Sequence, residues 1–285
     1  MRDMPVDMPS NATCAVCLTF DFDAMSVWLN LKERSPTSIS RGEFGARVGI
    51  WRILTLLGTH DIKTTFFVPG HTADTYPEIV RKIHENGHEI AHHGYCHESP
   101  ADLKYEEEVA ILDKGISSLK AITGKRPLGY RSPSWETSPN TLKLLLERKF
   151  IYDSSTMADD FTPYNCRIGD KASTSKPFKF GRECRLLEIP VAWNLDDWTL
   201  FEYEECSGLS APSRVYEIWC GDFDYMYKHV ENGVFNLTLH PQVIGRGHRI
   251  VVLDKLIKHM KSVTSVWFAR MIDVANVFLD EPRYF

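Results

Sequence analysis

Long apolar runs are missing from this 285-residue chain. No stretch of about 18 apolar residues occurs, so no transmembrane helix is expected. The opening residues, MRDMPVDMPSNATCAVCLTF, have no continuous apolar segment and carry Asp3 and Asp7. They do not read as a secretory signal, and a cytoplasmic, membrane-free chain is the expectation. Basic stripes are missing too: 33 basic and 38 acidic residues are interspersed, for a net charge of -5. That argues against nucleic acid as a partner. Cysteines are few and unpaired in pattern. Seven are scattered, and the one C-x-x-C, Cys14 and Cys17, lies in an apolar run with no second pair to complete a metal or redox site. Reduced, structural thiols are expected. Internal repeats and low-complexity segments are also absent.

What remains is ordinary globular composition, 43% hydrophobic and 25% charged, enough for a large core. Apolar, β-rich runs recur at 14–23, 63–70, 88–93, 128–135, 152–156, 186–193, 234–241 and 265–271. Between them lie stretches of helical period. Residues 76–87 put Ile79, Val80 and Ile83 on one face and stop at Gly87. Residues 105–124 space Val109, Leu112, Ile116 and Leu119 by three or four, and also end at glycine. Residues 138–149 open with Ser138 as N-cap and Pro139 at the first helical position. The alternation implies a largely parallel sheet with helices outside, open or closed into a barrel. We read 1–285 as a single catalytic domain, with 1–12 an N-terminal extension and 196–213 an inserted loop. Two long connections, 24–48 and 196–213, are candidate substrate loops, the second equally a candidate subunit contact.

Chemistry-bearing residues collect at the ends of the expected strands. Asp21 and Asp23 are two apart, so both face one side of the first strand. Two carboxylates on a buried face repel unless a cation lies beside them. The decapeptide HEIAHHGYCH holds four of the chain's eleven histidines. His93 and His97 are four apart around Gly94, a common ligand spacing. His92 points the opposite way on a strand, and His88 lies at the strand's start, so both are expected in the scaffold. His71 and His248 are loop residues that could line a pocket. Arg131 and Trp135 sit at another strand end, where an arginine could orient a carboxylate. His240 follows a late apolar strand, where it could act as general acid. Sites in α/β sheets lie at such C-terminal ends. Two histidines and a carboxylate with open positions suit catalytic Zn²⁺, Fe²⁺, Mn²⁺ or Co²⁺.

In these motifs the chain resembles the polysaccharide deacetylase superfamily, carbohydrate esterase family four. Asp21 and Asp23, HGYCH, RSPSW and LTLHP occur in the family's order, and the resemblance spans roughly 14 to 280. It is strongest to a divergent branch containing peptidoglycan-deacetylase-like proteins, cyclic imide hydrolases and metal-independent allantoinases. DFD departs from the adjacent Asp-Asp of the polysaccharide enzymes. HGYCH lacks the usual Ser/Thr, and DDW at 196–198 matches a fourth motif only in part. The resemblance implies a distorted (β/α) barrel of seven to eight parallel strands and hydrolysis of a non-peptide carbon–nitrogen bond. It implies Asp23, His93 and His97 as metal ligands, and Asp21 as the base that activates a water. Arg131 would tune Asp21, and His240 would protonate the leaving nitrogen. Trp135, Asp197 and Trp198 would contact substrate, with a backbone N–H near Trp135 as oxyanion donor. It also implies a homo-oligomer, a homotetramer in that branch. The missing signal and the aromatics Trp28, Trp198, Phe201 and Tyr203 favour a small cyclic imide or ureide as substrate. N-deacetylation of sugars or peptidoglycan is the alternative; a metal-free allantoinase-like hydrolase and an inactive binding protein are the others.

Overall fold

The computed structural model describes residues 8–202 and 209–280. Nine strands form one curled sheet: β1 (Cys14–Asp21), β2 (Thr65–Val68), β3 (Glu89–His92), β4 (Gly129–Tyr130), β5 (Tyr152–Asp153), β6 (Tyr164–Ile168), β7 (Arg182–Glu188), β8 (Gly233–Leu239) and β9 (Val266–Phe268). Their order is β6-β7-β5-β4-β3-β2-β1-β8, and β9 pairs with the first half of β1. Every pairing is parallel except β6 with β7. The expected distorted barrel is therefore present as a curled, mostly parallel half-barrel. All eight expected strand regions carry a strand. The unexpected β6 is a polar edge strand that folds back on β7. The gap between β7 and β8 is narrowed at the site end: Asn236 Nδ2 donates to Pro190 O at 2.8 Å, and Asp196 bridges to Thr238.

β1 explains the inside and outside of the curl. It is buried along its whole length. Val16, Leu18, Phe20 and Phe22 join the large core under the outer helices, while Ala15 and Cys17 join the inner cluster. On the inner side small residues give way to Thr19, Asp21 and Asp23, so the barrel interior turns from apolar to polar toward the C-terminal ends. The helix Met271–Asp280 plugs the inner cluster with Met271, Val274, Ala275 and Phe278. Cys14 and Cys17 point to opposite sides of the strand, and all six described cysteines are free thiols.

The helices follow the periodicities with one correction. Pro77–Glu85 precedes Gly87, and Tyr105–Thr123 ends at Gly124, both glycines with positive φ. The third helix is Thr141–Glu147, not one opening at Ser138. Ser138 instead builds a turn ahead of it: its N–H donates to Thr141 Oγ1, and its hydroxyl donates to buried Glu108 at 2.6 Å. The 24–48 connection is no loose loop. It contains the helices Ser26–Asn30 and Pro36–Phe44, then a wider turn into Ile50–Thr59. Of the expected 1–12 extension, residues 1–7 lie outside the described residues, and Met8 is buried in the inner cluster. Residues 203–208 of the 196–213 loop, including Tyr203, also lie outside them; the described part includes a short helix, Asp197–Phe201. No described helix is long and apolar enough to cross a membrane.

Candidate metal and hydrolytic centre

A cavity of about 430 Å³ opens at the C-terminal ends of β1, β3 and β8, the place expected from the strand-end motifs. Asp21, Asp23, His93, His97 and His240 lie at its floor, each 8% exposed or less. The segment after β1 supplies Val27, Asn30 and Leu31, and the segment after β7 supplies Trp193, Asp196, Trp198, Thr199 and Glu202. Both long connections thus wall the cavity.

Each floor residue is held by its backbone. The carbonyl of Asp23 accepts from the hydroxyls of Thr72 and Ser26 at 2.6 and 2.8 Å. The turn between His93 and His97 needs positive φ at Gly94 (71°) and at His97 itself (61°). Glu98 clamps that turn by accepting from the N–H groups of Tyr95 and Cys96 at 3.1 and 2.7 Å. Outer support comes from Gly49, whose missing Cβ leaves room for Pro241 O, which would lie 2.0 Å from it. That close approach seats the segment after β1 against the backbone that carries His240.

The histidine tautomers follow from their partners. His93 Nδ1 lies 2.8 Å from Arg131 O, a carbonyl, so Nδ1 carries the proton and Nε2 is free to ligate. His93 Nε2 lies 3.6 Å from Asp23 Oδ1, and the His97 ring sits 5.1 Å from the His93 ring. Candidate ligand atoms of Asp23, His93 and His97 all fall within 4.8 Å of one another. Burial holds both imidazoles neutral, with His97 pushed down to about 3. Neutral imidazole is the ligating form.

The two carboxylates differ in their compensation. Burial pushes the Asp21 carboxyl up, but the Arg131 guanidinium, aided by His93 and His240, outweighs it and holds it below the usual carboxylate range. Arg131 donates to Asp21 Oδ1 at 2.8 Å and to Thr19 Oγ1 at 2.9 Å. Its other nitrogens are spent on Ser154 and Asn236, and the guanidinium lies 4.1 Å above the Phe67 ring. Asp23 has no arginine. Burial, with repulsion from Asp21, outweighs the lowering effect of His240 and pushes its carboxyl up to about 8, and Oδ1 is buried without a hydrogen-bond partner. Gln242 donates to the other oxygen at 3.3 Å. An orphaned, buried carboxylate oxygen facing two neutral imidazoles is a donor set that fits a divalent cation.

His240 closes the opposite side. Its Nδ1 lies 2.7 Å from Asp197 Oδ1, and its backbone N–H donates to both oxygens of the same carboxylate at 3.0 Å. Nε2 therefore faces inward, 3.8 Å from Asp23 and 4.0 Å from Asp21. Burial pushes the imidazole down, but Asp197 outweighs it and raises it to about 10. Asp196, Asp197 and His240 form a second cluster of possible ligands. Its short contacts are those of a hydrogen-bonded imidazole–carboxylate pair.

Not every expected residue lies where the motifs suggested. Asp197 does not line the cavity; it sits behind His240, fully buried, so direct contact with substrate is replaced by a hold on the imidazole. The N–H of Trp135 is donated to Ser132 O at 3.0 Å, so it is not an available oxyanion donor. The Trp135 side chain does line the cavity, its ring tilted against that of Trp193 at 4.5 Å. Trp198 lines it too, edge-on to His240 at 5.4 Å. Trp28 lies beneath Trp198 and Phe201 is packed on Trp219, both in the core rather than on the cavity wall. His88 accepts from Thr64 N, and His92 packs against Leu112 O under the helix Tyr105–Thr123. His71 and His248 stay outside the cavity lining. Sequence reasoning missed Gln242, Asp196 and Trp193. Gln242 follows LTLHP directly and Asp196 opens the partial motif DDW, which is the only signal either carries.

A polysaccharide deacetylase family model matches residues 15–150. A peptidoglycan deacetylase from Helicobacter pylori is 37% identical over 92% of this chain and 96% of its own length. A Mycobacterium smegmatis protein whose solved structure is assigned to the polysaccharide deacetylases superposes with a TM-score of 0.86 at 36% identity, over 100% of this chain and 98% of that one. The structure of Puue allantoinase superposes at 0.82 with 25% identity, over 100% and 96%.

Proposed function

The chain belongs to the polysaccharide deacetylase family, hydrolases of non-peptide carbon–nitrogen bonds, and from that premise we propose that it removes the acetyl group from an N-acetylated sugar. The observation that carries the reading is the juxtaposition on the cavity floor: a three-residue ligand set, an arginine-held carboxylate and an inward-facing imidazole on the far side. Asp23, His93 and His97 would hold a divalent ion, Zn²⁺ or another transition metal. Such an ion supplies Lewis acidity to the acyl oxygen and makes water a better nucleophile at neutral pH.

The remaining chemistry belongs to the side chains. Asp21, kept ionised by Arg131, accepts the proton of the attacking water. The water oxygen joins the carbonyl carbon as the C–N bond breaks. His240, proton on Nε2 and Nδ1–H on Asp197, delivers that proton to the leaving nitrogen, which would otherwise depart as a poor anion. Acetate and the free amine result. Trp135, Trp193 and Trp198 supply apolar faces against which a sugar ring can lie.

The sequence favoured a small cyclic imide or ureide. Support now lies with N-deacetylation, because a peptidoglycan deacetylase relates to the chain at 37% identity and the allantoinase structure at 25%. Two of the four aromatics behind the imide reading, Trp28 and Phe201, also belong to the core. The reading carries with it a homo-oligomer, tested by light scattering, and a cytoplasmic chain, tested by cell fractionation. The deciding measurement is release of acetate from N-acetylated chitooligosaccharides and peptidoglycan fragments, with and without added Zn²⁺. Succinimide, hydantoin and allantoin serve in parallel. We expect metal-stimulated deacetylation; ring opening without acetate release restores the imide reading, and turnover indifferent to chelation replaces the metal centre with an allantoinase-like one.

A further inference from the structure

The pole opposite the cavity carries a feature invisible in the linear charge pattern. Because β4, β5 and β7 are parallel neighbours in the sheet, the segments entering them lie side by side at the N-terminal end of the barrel. These segments hold Lys125, Lys149, Lys171, Lys176, Lys179 and Arg182, all exposed, and none has an ion pair among the described residues. The acidic residues within 169–182 reduce to Asp170, which is engaged by Arg167 and by Gly181 N. In a chain of net charge -5 this is a local reversal of sign.

The hairpin between β6 and β7 is exposed at every residue from 169 to 180. Lys171 and Lys179 are direct cross-strand partners, so two like charges share one face at a cost to the hairpin. On either side of Lys179, Phe178 and Phe180 are 48% and 67% exposed and meet edge-on 5.0 Å apart, with the Arg167 guanidinium 4.8 Å over the Phe180 ring. Leu128 is exposed on the neighbouring segment. A polyphosphate chain would answer the lysines but leave the phenyl rings in water. A bilayer with anionic headgroups answers both: the rings enter the headgroup–acyl boundary, and the lysines meet the phosphates around them.

We propose that this pole is a peripheral docking surface for an anionic lipid membrane, entered by the exposed rings of Phe178 and Phe180 on the hairpin. The contact needs no membrane-spanning helix. It points the cavity, at the other ends of the strands, away from the bilayer.

The full-length chain is sedimented with vesicles of phosphatidylcholine alone and of phosphatidylcholine mixed with phosphatidylglycerol. Binding is expected only to the anionic vesicles, weakening as salt rises. Phe178→Ser with Phe180→Ser, and separately Lys176→Glu with Lys179→Glu, should each reduce it roughly tenfold or more, with unchanged circular dichroism and unchanged turnover of a soluble substrate. No binding, equal binding to both vesicles, or undiminished binding by folded variants overturns the proposal. So does a phenylalanine variant that changes oligomer size by light scattering instead, which makes the surface a subunit contact. Equally tight binding of polyphosphate or single-stranded DNA in place of vesicles makes it a polymer site and overturns the lipid assignment.

Discussion

Asp197 reached the site by an indirect route. By sequence it sat beside Trp198 in a partial motif, a candidate for touching substrate. In the fold its carboxylate takes both N–H groups of His240 and leaves Nε2 aimed at the floor. Asp197→Asn should lower kcat/KM by about 10²–10⁴-fold, the usual worth of a correctly oriented general acid. The pH profile separates this role from a structural one. A general acid works while protonated, so activity falls as pH rises through its pKa. Asp197, with smaller help from Asp196 and Asp23, raises His240 to about 10 against the effect of burial. Without that charge the imidazole loses its proton earlier, and the alkaline limb of the profile moves to lower pH. An unmoved limb would count against His240 as the acid. The same scale explains what could be read early. Asp21, Asp23, His93 and His97 announce themselves by spacing and strand-end position. Gln242 does not, because a lone polar residue has no period and its partner lies elsewhere in the chain: Gln242 meets Asp23 across 219 positions.

Among the elements, the long helix Tyr105–Thr123 shows how packing overrides propensity. Gly115 sits inside it, where alanine would ordinarily gain about 1 kcal/mol. A Cβ there would lie 2.3 Å from His92 Nε2 and 2.8 Å from Gly94 O. The helix thus rests on the backbone of the ligand turn through a residue with no side chain. Gly115→Ala should therefore destabilise the protein by about 1–3 kcal/mol, read as a lower urea midpoint, despite the better helix former. Element types were legible from period and composition: eight strand regions and the helical stretches 76–87, 105–124 and 138–149. Boundaries and one strand were not. β4 and β5 shrink to two residues each, because only that much backbone pairs in register. β6, YNCRI, is half-buried and polar, and exists only because β7 offers it an edge. The helix after Ser138 starts later because the serine hydroxyl is drawn to Glu108 in another helix, a contact no local rule contains.

For the molecule as a whole, the centre couples metal binding to folding. The Asp23 carboxylate is buried with an unpartnered oxygen, a cost the folded chain carries until a cation lies beside it. A ligand that binds only the folded state stabilises it by mass action, about 2.7 kcal/mol at a hundredfold excess over Kd. Added Zn²⁺ should accordingly raise the thermal midpoint of the metal-stripped protein, and His93→Ala should abolish most of that rise. An equal rise in the variant would place the ion elsewhere.

The sequence by itself determined the class of fold and the set of ionisable groups at strand ends, while the kind of bond those groups attack was implied by the family that the motifs resemble. The first two are properties of period, spacing and residue chemistry, and each is local. The tertiary structure alone supplied the physical ground for dividing the two carboxylates, with Arg131 arriving from 110 positions away to compensate Asp21 while Asp23 keeps an unpartnered oxygen. It also assigned Asp197 to His240 rather than to the cavity. And it gathered lysines from three separate segments onto one pole. Electrostatic energy falls with distance in space, and only folding sets that distance.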